Sequence, residues 1–450
     1  MSITPFKNKN KNRKYFYLYL VYIMAATTQK LNYANVPPRA TSSRALRNEV
    51  IPSNNTTFNM NDTIIFDLPS NLNNTFWDAQ SSYVSLNFTN NDASNCWFEG
   101  GGFPACIRRI VIELGGQTLF SCDNWNSLYM AMFDLDTAAQ FRDNAGSVLF
   151  GSANSVKGLG IAAGSSYKVC FPLVLTPLMC NKYWPLISRE RMRIRLELDT
   201  AARGLIVEDG GAVDTDFTIN DVKLVQYNLE LGSDVMAQVA AASGGSFKLA
   251  CPSYQHHQSS IAAGASSLTA TLGFSMSSLN RIIVCQQLQN VVNTASYVGN
   301  RSYADLERFS VSVGGVKYPQ IDMKENGSGS ETLAEALVSQ RALTSWGHQS
   351  SVDLGGDTGG GFVADEPTGA LGADADTGHY LIDLDLESQR VAGGESGMGL
   401  VAGVNTIGQV VTATFNYQAP ITAAHVVNVY GEHTILCMLD LNSLTWSIAV

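Results

Sequence analysis

Two stretches decide the fold: RIVIELGGQTLF at residues 109–120 and RFSVSVGGVKYP at residues 308–319. Each begins with an arginine, continues as a strand of alternating apolar residues and reaches a Gly-Gly pair typical of a tight hairpin turn. The two arginines lie 199 residues apart. A plausible helix follows each stretch, starting near Asn126 in the first copy and near Ser330 in the second. Because the same elements recur in the same order, we predict two copies of one fold, with two unrelated β-domains as the alternative.

Alternation of apolar and polar residues with a period of two dominates from about residue 56 onward. Gly, Asn, Ser and Pro fill the gaps, and no long amphipathic helix separates consecutive strands, which favours antiparallel sandwiches over parallel βαβ folds. The clearest predicted strands are 63–68, 82–89, 109–114, 167–175, 192–198, 222–231, 268–274, 281–289, 308–313, 380–387, 409–417 and 433–441.

The length of 450 residues fits two domains of about 200 residues better than one sandwich. We divide the chain into a basic N-terminal arm at 1–50, a first sandwich at 51–232, a connector at 233–262 and a second sandwich at 263–450. Within the connector, the run VMAQVAA predicts a short helix.

Charge is distributed unevenly along the chain. The first 48 residues hold nine Lys or Arg and no acid, whereas the remainder holds 20 basic and 39 acidic residues. A basic arm on an acidic body suggests an anionic partner, either nucleic acid or lipid headgroups, and a solvated disordered tail is the alternative. Charged residues make up only 15% of the chain, which suits a surface that packs against other copies. A neutral secreted β-protein would have a similar composition.

The run YFYLYLVYIMAA from Tyr15 to Ala26 follows a basic stretch, as in a signal peptide or a membrane-seeking segment. Its 12 residues are fewer than the roughly 20 that a transmembrane helix needs. Translation from Met24 would remove most of it, and we favour that start or an interior arm over secretion. Seven Asn-X-Ser/Thr sequons would matter only in a secreted chain.

The eight cysteines show no CxxC pair and no recurrent spacing. Most lie in apolar surroundings, where a reduced thiol behaves as a small hydrophobic group. We therefore favour buried free thiols and assembly in a reducing compartment over a disulfide framework.

No metal-ligating constellation is predicted. His256 and His257 have no carboxylate or cysteine at ligand spacing, so polar connector residues are favoured over metal ligands. Asp374 and Asp376 are spaced as in a calcium loop, but Gly378 stands where the fifth-position ligand belongs, and no glutamate follows at the twelfth.

No catalytic or cofactor-binding motif is predicted either. The glycine-rich run at 158–164 precedes a strand rather than the helix that a phosphate-binding loop needs. GGESGMG at 393–399 misses the GxSxG elbow by one residue, and GSGSE at 327–331 lacks a strand-to-helix setting. A carbohydrate-active enzyme would need two converging carboxylates, which sequence cannot show. We predict a protein that is not an enzyme and takes no cofactor or small-molecule substrate.

Three segments carry a family resemblance: FPLVLTPLMCNKYWPLISRERMRIRLELDTAARGL at 171–205, FTINDVKLVQYNLELGSDV at 217–235 and SVSVGGVKYPQ at 310–320. In their order they resemble segments of the double jelly-roll major capsid proteins of eukaryotic double-stranded DNA viruses, particularly polinton-like viruses and virophages. The resemblance runs from about residue 55 to the C-terminus, and the basic, aromatic stretch before Met24 departs from it.

The resemblance implies an all-β fold of two tandem antiparallel eight-stranded jelly rolls, with a few short helices in loops. It also implies homotrimeric, pseudo-hexagonal capsomers that contact neighbouring capsomers, penton proteins and minor capsid proteins in an icosahedral shell. The protein would be located in the virion capsid after assembly inside the infected host cell. The charge of the basic arm, rather than the resemblance, predicts that the arm lies against an internal membrane or DNA. The Gly-rich loop from Asp353 to His379 is expected to form a surface tower or an intersubunit cover. The alternative function is a secreted or surface β-sandwich module that binds carbohydrate.

Overall fold

Each half of the chain folds around two antiparallel sheets in the computed structural model, with six and four strands in the first half and five and four strands in the second. Residues from Arg44 onward form one unit that contains both sandwiches. The structure describes residues 43–91, 93–98, 100–151, 160–207, 217–289, 298–299, 301–325, 330–339, 379–387 and 403–449.

Strands account for about half of the described residues. The strands of the first half are β1 (Ser43–Val50), β2 (Thr57–Phe58), β3 (Thr63–Asp67), β4 (Thr75–Asn90), β5 (Cys96–Phe98), β6 (Ile107–Leu114), β7 (Gln117–Cys122), β8 (Ser166–Phe171), β9 (Trp184–Pro185), β10 (Met192–Leu198), β11 (Leu205–Val207) and β12 (Phe217–Leu231). Those of the second half are β13 (Ser246–Ile261), β14 (Ser267–Leu272), β15 (Leu279–Leu288), β16 (Leu306–Val313), β17 (Val316–Lys324), β18 (Ile382–Asp385), β19 (Val411–Tyr417), β20 (His425–Asp440) and β21 (Trp446–Ala449).

The two halves have the same strand order. In the first half the sheets run β1-β12-β4-β8 and β3-β10-β6-β7, and in the second β13-β20-β15-β18 and β14-β19-β16-β17. If the eight main strands of each half are counted along the chain, both halves give sheets 1-8-3-6 and 2-7-4-5. This is the order of a jelly roll, in which the last strand pairs with the first and third. The predicted duplication is therefore confirmed.

The Gly-Gly pairs are the turns of matching hairpins. Gly115 and Gly116 join β6 to β7 with φ of 61° and 82°, and Gly314 and Gly315 join β16 to β17 with φ of 57° and 87°. Such a turn needs a positive φ at both central residues, which glycine adopts without a steric penalty. All twelve predicted strand stretches overlap strands of the structure.

Three longer helices accompany the rolls, at or next to the positions that the sequence predicts: α1 (Trp125–Asp136), α2 (Ser233–Ala242) and α3 (Ser330–Ser339). Shorter helical segments are Phe103–Cys106, Ala139–Phe141, Arg142–Gly146, Ser147–Phe150, Pro177–Met179 and Ala201–Gly204.

Strand β10 shows how alternation positions the core. The side chains of Met192, Ile194, Leu196 and Leu198 are buried between the sheets. Each such aliphatic side chain contributes about 1.5–3 kcal/mol to folding. The arginines between them point outward and form cross-strand ion pairs with carboxylates of the neighbouring strands.

The structure moves two of the predicted domain limits. Ser43–Val50, assigned above to the arm, is the first strand of the first roll and pairs with β12. Ser246–Ile261, assigned to the connector, is strand β13, which pairs along its whole length with β20. The connector between the rolls is therefore α2 and the turn after it.

Several sequence expectations concern residues outside the described part. These are the arm before Ser43, the Gly-rich loop up to residue 378 with its calcium-like aspartates, GGESGMG, and parts of GLGIAAG and GSGSE.

Candidate functional site: the seam between the two jelly rolls

Helix α1 of the first roll lies between the two rolls and packs against both β6 and β15. All of its residues except Asp136 are buried. The rings of Trp125, Tyr129 and Phe133 stack in sequence at centroid separations of 5.2 and 5.6 Å. The spacing of four residues places these rings above one another on one face of the helix. We call the surface where the rolls meet the seam.

A buried ion pair crosses the seam next to this helix. Arg301 of the second roll is fully buried and donates from Nη2 to Oδ2 of Asp134 on α1 at 2.6 Å. The same guanidinium also donates to the backbone carbonyls of Tyr380 and His379 at 3.2 and 3.3 Å. His379 Nδ1 lies 3.2 Å from the same carboxylate oxygen.

The environment of Asp134 favours its charged form. Burial raises the pKa of this carboxyl, but the charges and hydrogen bonds of Arg301 and His379 outweigh burial and hold the pKa below its ordinary value. A buried carboxylate and guanidinium in this geometry stabilise each other but would be costly to separate.

A group of amides forms a second polar contact across the seam. Asn124, which precedes α1, donates from Nδ2 to Oδ1 of Asn428 at 3.2 Å, and its carbonyl accepts from the Tyr430 hydroxyl at 2.8 Å. Asn428 Oδ1 also accepts from His256 Nε2 at 3.0 Å, and Asn428 Nδ2 donates to Gln287 at 3.3 Å. The His256 ring stacks on Tyr430 at 4.9 Å.

Burial lowers the pKa of His256 below its ordinary value, and the hydrogen bond to Asn428 and the charge of Asp123 offset this only in part. Burial likewise lowers the pKa of His433 on β20.

We expect mild acid to destabilise the protein through these histidines. A histidine whose folded pKa lies below its unfolded value of about 6.5 binds protons more readily in the unfolded chain, so stability falls as the pH drops below that value. His256→Gln removes one such group and should reduce the loss of thermal stability between about pH 7 and pH 5. Melting temperatures of both proteins across this range measure the effect, and identical pH dependence would contradict the assignment.

Aromatic rings close the seam at the far end of β20. Trp184 of the first roll contacts Trp446 of β21 at a centroid distance of 5.8 Å. The backbone N–H of Trp446 donates to the Glu190 carboxylate at 2.8 Å, and the carbonyl of Leu444 accepts from the N–H of Arg189 at 3.1 Å. The last strand of the second roll is thereby attached to the loop before β10 of the first.

A cleft of 720 Å³ opens at the seam and is lined by Tyr183 and Pro185, the residues on either side of Trp184. Phe76 of β4 and Phe247 of β13 form part of its wall, with their rings 5.7 Å apart. Lys182 spans the cleft and donates from Nζ to the carbonyl of Lys248 at 3.0 Å. Cys180 lines the same wall.

The second roll contains a further buried ionic group. Arg281 on β15 donates to Glu432 on β20 at 2.6 Å and to Asp383 on β18 at 3.3 Å. The Asp383 side chain is fully buried. These pairs link three neighbouring strands of one sheet.

The structure places the sequence-selected histidines on β13. His256 reaches the seam, whereas His257 contacts Ser259 at 3.2 Å. Sequence reasoning missed the Asp134–Arg301 pair. The available signal was an aspartate inside the apolar run YMAMFDL at residues 129–135, since a buried carboxylate requires a partner.

Within the described ranges, no group of three or more His, Cys, Asp or Glu side chains is arranged to hold a metal ion. In that same part of the chain, each helix is too short or too polar to traverse a bilayer.

Comparison with known proteins extends these observations. Neither a family model nor a curated protein sequence matches the chain. The structure of PBCV-1 VP54 fitted into a cryo-EM reconstruction of the virophage Sputnik is similar, with a TM-score of 0.60 at 12% identity over 93% of this chain and 99% of that one. The chain has a double jelly-roll fold.

Two further double jelly rolls support this. The mavirus major capsid protein has a TM-score of 0.52 at 15% identity over 100% of this chain and 96% of that one. The Faustovirus major capsid protein has a TM-score of 0.56 at 8% identity over 93% and 94% of the two chains. Because these alignments span both rolls, the likeness includes their tandem arrangement.

Proposed function

We propose that this protein is a major capsid protein, a structural and non-catalytic building block of the icosahedral shell of a double-stranded DNA virus. The observation that carries the proposal is the seam: it fixes two rolls of identical strand order side by side. Three such chains around a threefold axis present six similar sides, so one protein can occupy six-coordinated lattice positions. The buried carboxylate of the seam faces an arginine, in keeping with a structural role.

Exposed apolar residues in different rolls support contact between copies. Val316, Ile407 and Val410 are 55%, 54% and 64% exposed around the Gly-Gly turn of the second roll. In the first roll, Val148 is 70% exposed on the helical segment before β8. Unlike apolar surfaces on one chain fit a head-to-tail contact, and such contacts form a closed trimer when the rotation between neighbouring copies is one third of a turn.

The test is the mass of the purified, folded protein in solution. We expect light scattering to give three times the 48.5-kDa chain mass. Replacement of Ile407 and Val410 by Asp should give a folded monomer, because a desolvated apolar contact contributes about 2 kcal/mol or more, a factor of about 30. Ile51→Asp, at a residue 73% exposed outside this patch, is the matched control and should leave the trimer intact. A wild-type monomer at physiological salt would overturn the proposal.

We further propose that residues before Ser43 act as an arm toward an internal membrane or DNA, and that penton and minor capsid proteins contact the assembled capsomers. The excess of basic residues in the first 48 positions supports an anionic partner for the arm. The shell would be assembled inside the host cell and carried in the virion.

A further inference from the structure

A loop of the second roll occupies the same place as a loop of the first roll that contributes to the seam. In the first roll the N–H of Gly115 donates to the carbonyl of the residue before β10 at 3.1 Å. In the second roll the N–H of Gly314 donates to the carbonyl of the residue before β19 at 3.0 Å. These two bonds align Ser188–Glu190, which we call the first-roll loop, with Ile407–Gln409, which we call the second-roll loop.

The side chains beside these bonds support the same alignment. Glu190, the last residue of the first-roll loop, packs against Gly115. Gln409, the last residue of the second-roll loop, packs against Gly314 in the same way. Because the strand order of the rolls is also identical, the two loops have matching positions within their rolls.

The first-roll loop contacts the segment that follows β20. The Ser188 hydroxyl and the N–H of Arg189 each donate to the carbonyl of Leu444 at 3.1 Å. The Glu190 carboxylate accepts from the N–H of Trp446 at 2.8 Å. Within the chain, this loop therefore attaches the first roll to the end of the second.

The second-roll loop is open to solvent in the described part of a single chain. Ile407 is 54% exposed, and the rest of the loop is exposed as well. The loop is nevertheless held in place by the buried Thr406, whose N–H donates to the carbonyl of Met276 at 2.9 Å and whose hydroxyl accepts from the Met276 N–H at 2.9 Å. A fixed turn that presents an isoleucine to solvent, next to the exposed Val410, is typical of a contact surface.

Helix α2 is the segment of the first roll that matches the one after β20, because it follows β12, the final main strand of that roll. Seven of its ten residues are Ala, Val or Met, Asp234 is its only charged residue, and none is buried. Helix α1 is also mostly apolar but is almost entirely buried, since it packs against both rolls. An apolar helix without a buried residue is explained when another chain packs on it.

We propose that the second-roll loop of one copy packs on α2 of the next copy, as the first-roll loop packs on the segment after β20 within the chain. The step from the first roll to the second is then repeated from the second roll to the first roll of the next copy, and three copies close the ring. Ile407 takes the place of Ser188, so an apolar contact between chains replaces a hydrogen bond within the chain. The inference rests on the proposed capsomer and identifies the two surfaces that meet in it.

The test cross-links the two surfaces in the purified full-length protein. The double variant Ile407→Cys with Ala237→Cys places one exposed thiol on each surface, whereas the native thiols are buried except for that of Cys170. After treatment with a short bismaleimide, we expect denaturing electrophoresis to show chains linked in twos and threes, because the link joins different copies. Each single variant should remain at the mobility of one chain, which also measures any reaction of Cys170.

The pair Ile407→Cys with Ile51→Cys is the matched control and should remain unlinked. Ile51 is 73% exposed, so its thiol is at least as accessible as one on α2. It lies two residues after Glu49, which pairs with Lys223 at 3.3 Å, and Lys223 is about 25 Å of strand away from the end of β12.

Light scattering of the same samples separates failure of this contact from failure of the proposed function. A trimer that remains unlinked in the double variant refutes the contact and leaves the capsomer standing, whereas a wild-type monomer refutes both. Equal linking of the Ile51 control would also refute the contact. Gln409→Cys with Ala237→Cys should give the same linked chains, and this pair decides the result if loss of the Ile407 side chain dissociates the trimer.

Discussion

Asp134→Asn should lower the free energy of unfolding by about 3–5 kcal/mol, the largest effect that we expect from a polar substitution in this chain. The substitution leaves the guanidinium of Arg301 fully buried without its counter-charge. Denaturant titration followed by tryptophan fluorescence measures the change. Because the folded pKa of Asp134 lies below its unfolded value of about 3.9, its contribution is complete above that value and is lost as the pH falls through the lower folded pKa.

Two variants separate the buried charge from a general effect of substitution. Asp134→Leu combined with Arg301→Met removes both charges and should recover much of the loss, since an apolar pair can replace a buried ion pair. Asp221→Asn removes the exposed partner of Lys168, a pair of similar length at 2.7 Å, and should cost less than about 1 kcal/mol. Equal losses in Asp134→Asn and Asp221→Asn would refute the role of the seam pair.

Trp184→Ala should cost about 3–5 kcal/mol of stability, because it removes a fully buried indole and leaves a cavity at the end of the seam. Trp446→Ala should lower the stability by a similar amount. The loss in the double variant should be about 0.5–1.5 kcal/mol smaller than the sum of the two single losses, because either single substitution already removes the contact between the rings. Denaturant titrations of the four proteins complete this double-mutant cycle.

The adjacent Tyr183 provides the control for this cycle. It is 51% exposed, and Tyr183→Ala should change stability by about 0.5 kcal/mol or less. Strict additivity of the two tryptophan substitutions would show that the rings do not stabilise each other.

Sequence reasoning found the duplicated architecture because local rules and the fold agree there. The Gly-Gly turns require positive φ at both residues, and the flanking strands alternate without interruption. Strand β10 is the clearest case, since its predicted and observed limits, Met192–Leu198, coincide.

Strands β1 and β13 were missed for two different physical reasons. β1 lies at a sheet edge and is mostly exposed, so its sequence lacks an apolar face. β13 contains Pro252 and has seam or core contacts on both faces, which hides the alternation of a half-buried strand. Proline is tolerated there because β13 is the outermost strand of its sheet.

The seam itself was beyond prediction from one sequence. Asp134 and Arg301 lie 167 positions apart, and the sequence around neither residue indicates that the other is its partner.

The position of β12 and β20 in their sheets sets the order in which the two rolls fold during synthesis on the ribosome. Each is the final main strand of its roll, yet each lies between that roll's first and third strands. Neither sheet can be completed progressively, so each roll must wait for its last strand and then close in a single step. The first roll has all its strands by Leu231, before the second begins at Ser246. Nascent chains should therefore acquire protease resistance in two jumps, with docking of the halves as the final event after translation has passed β21.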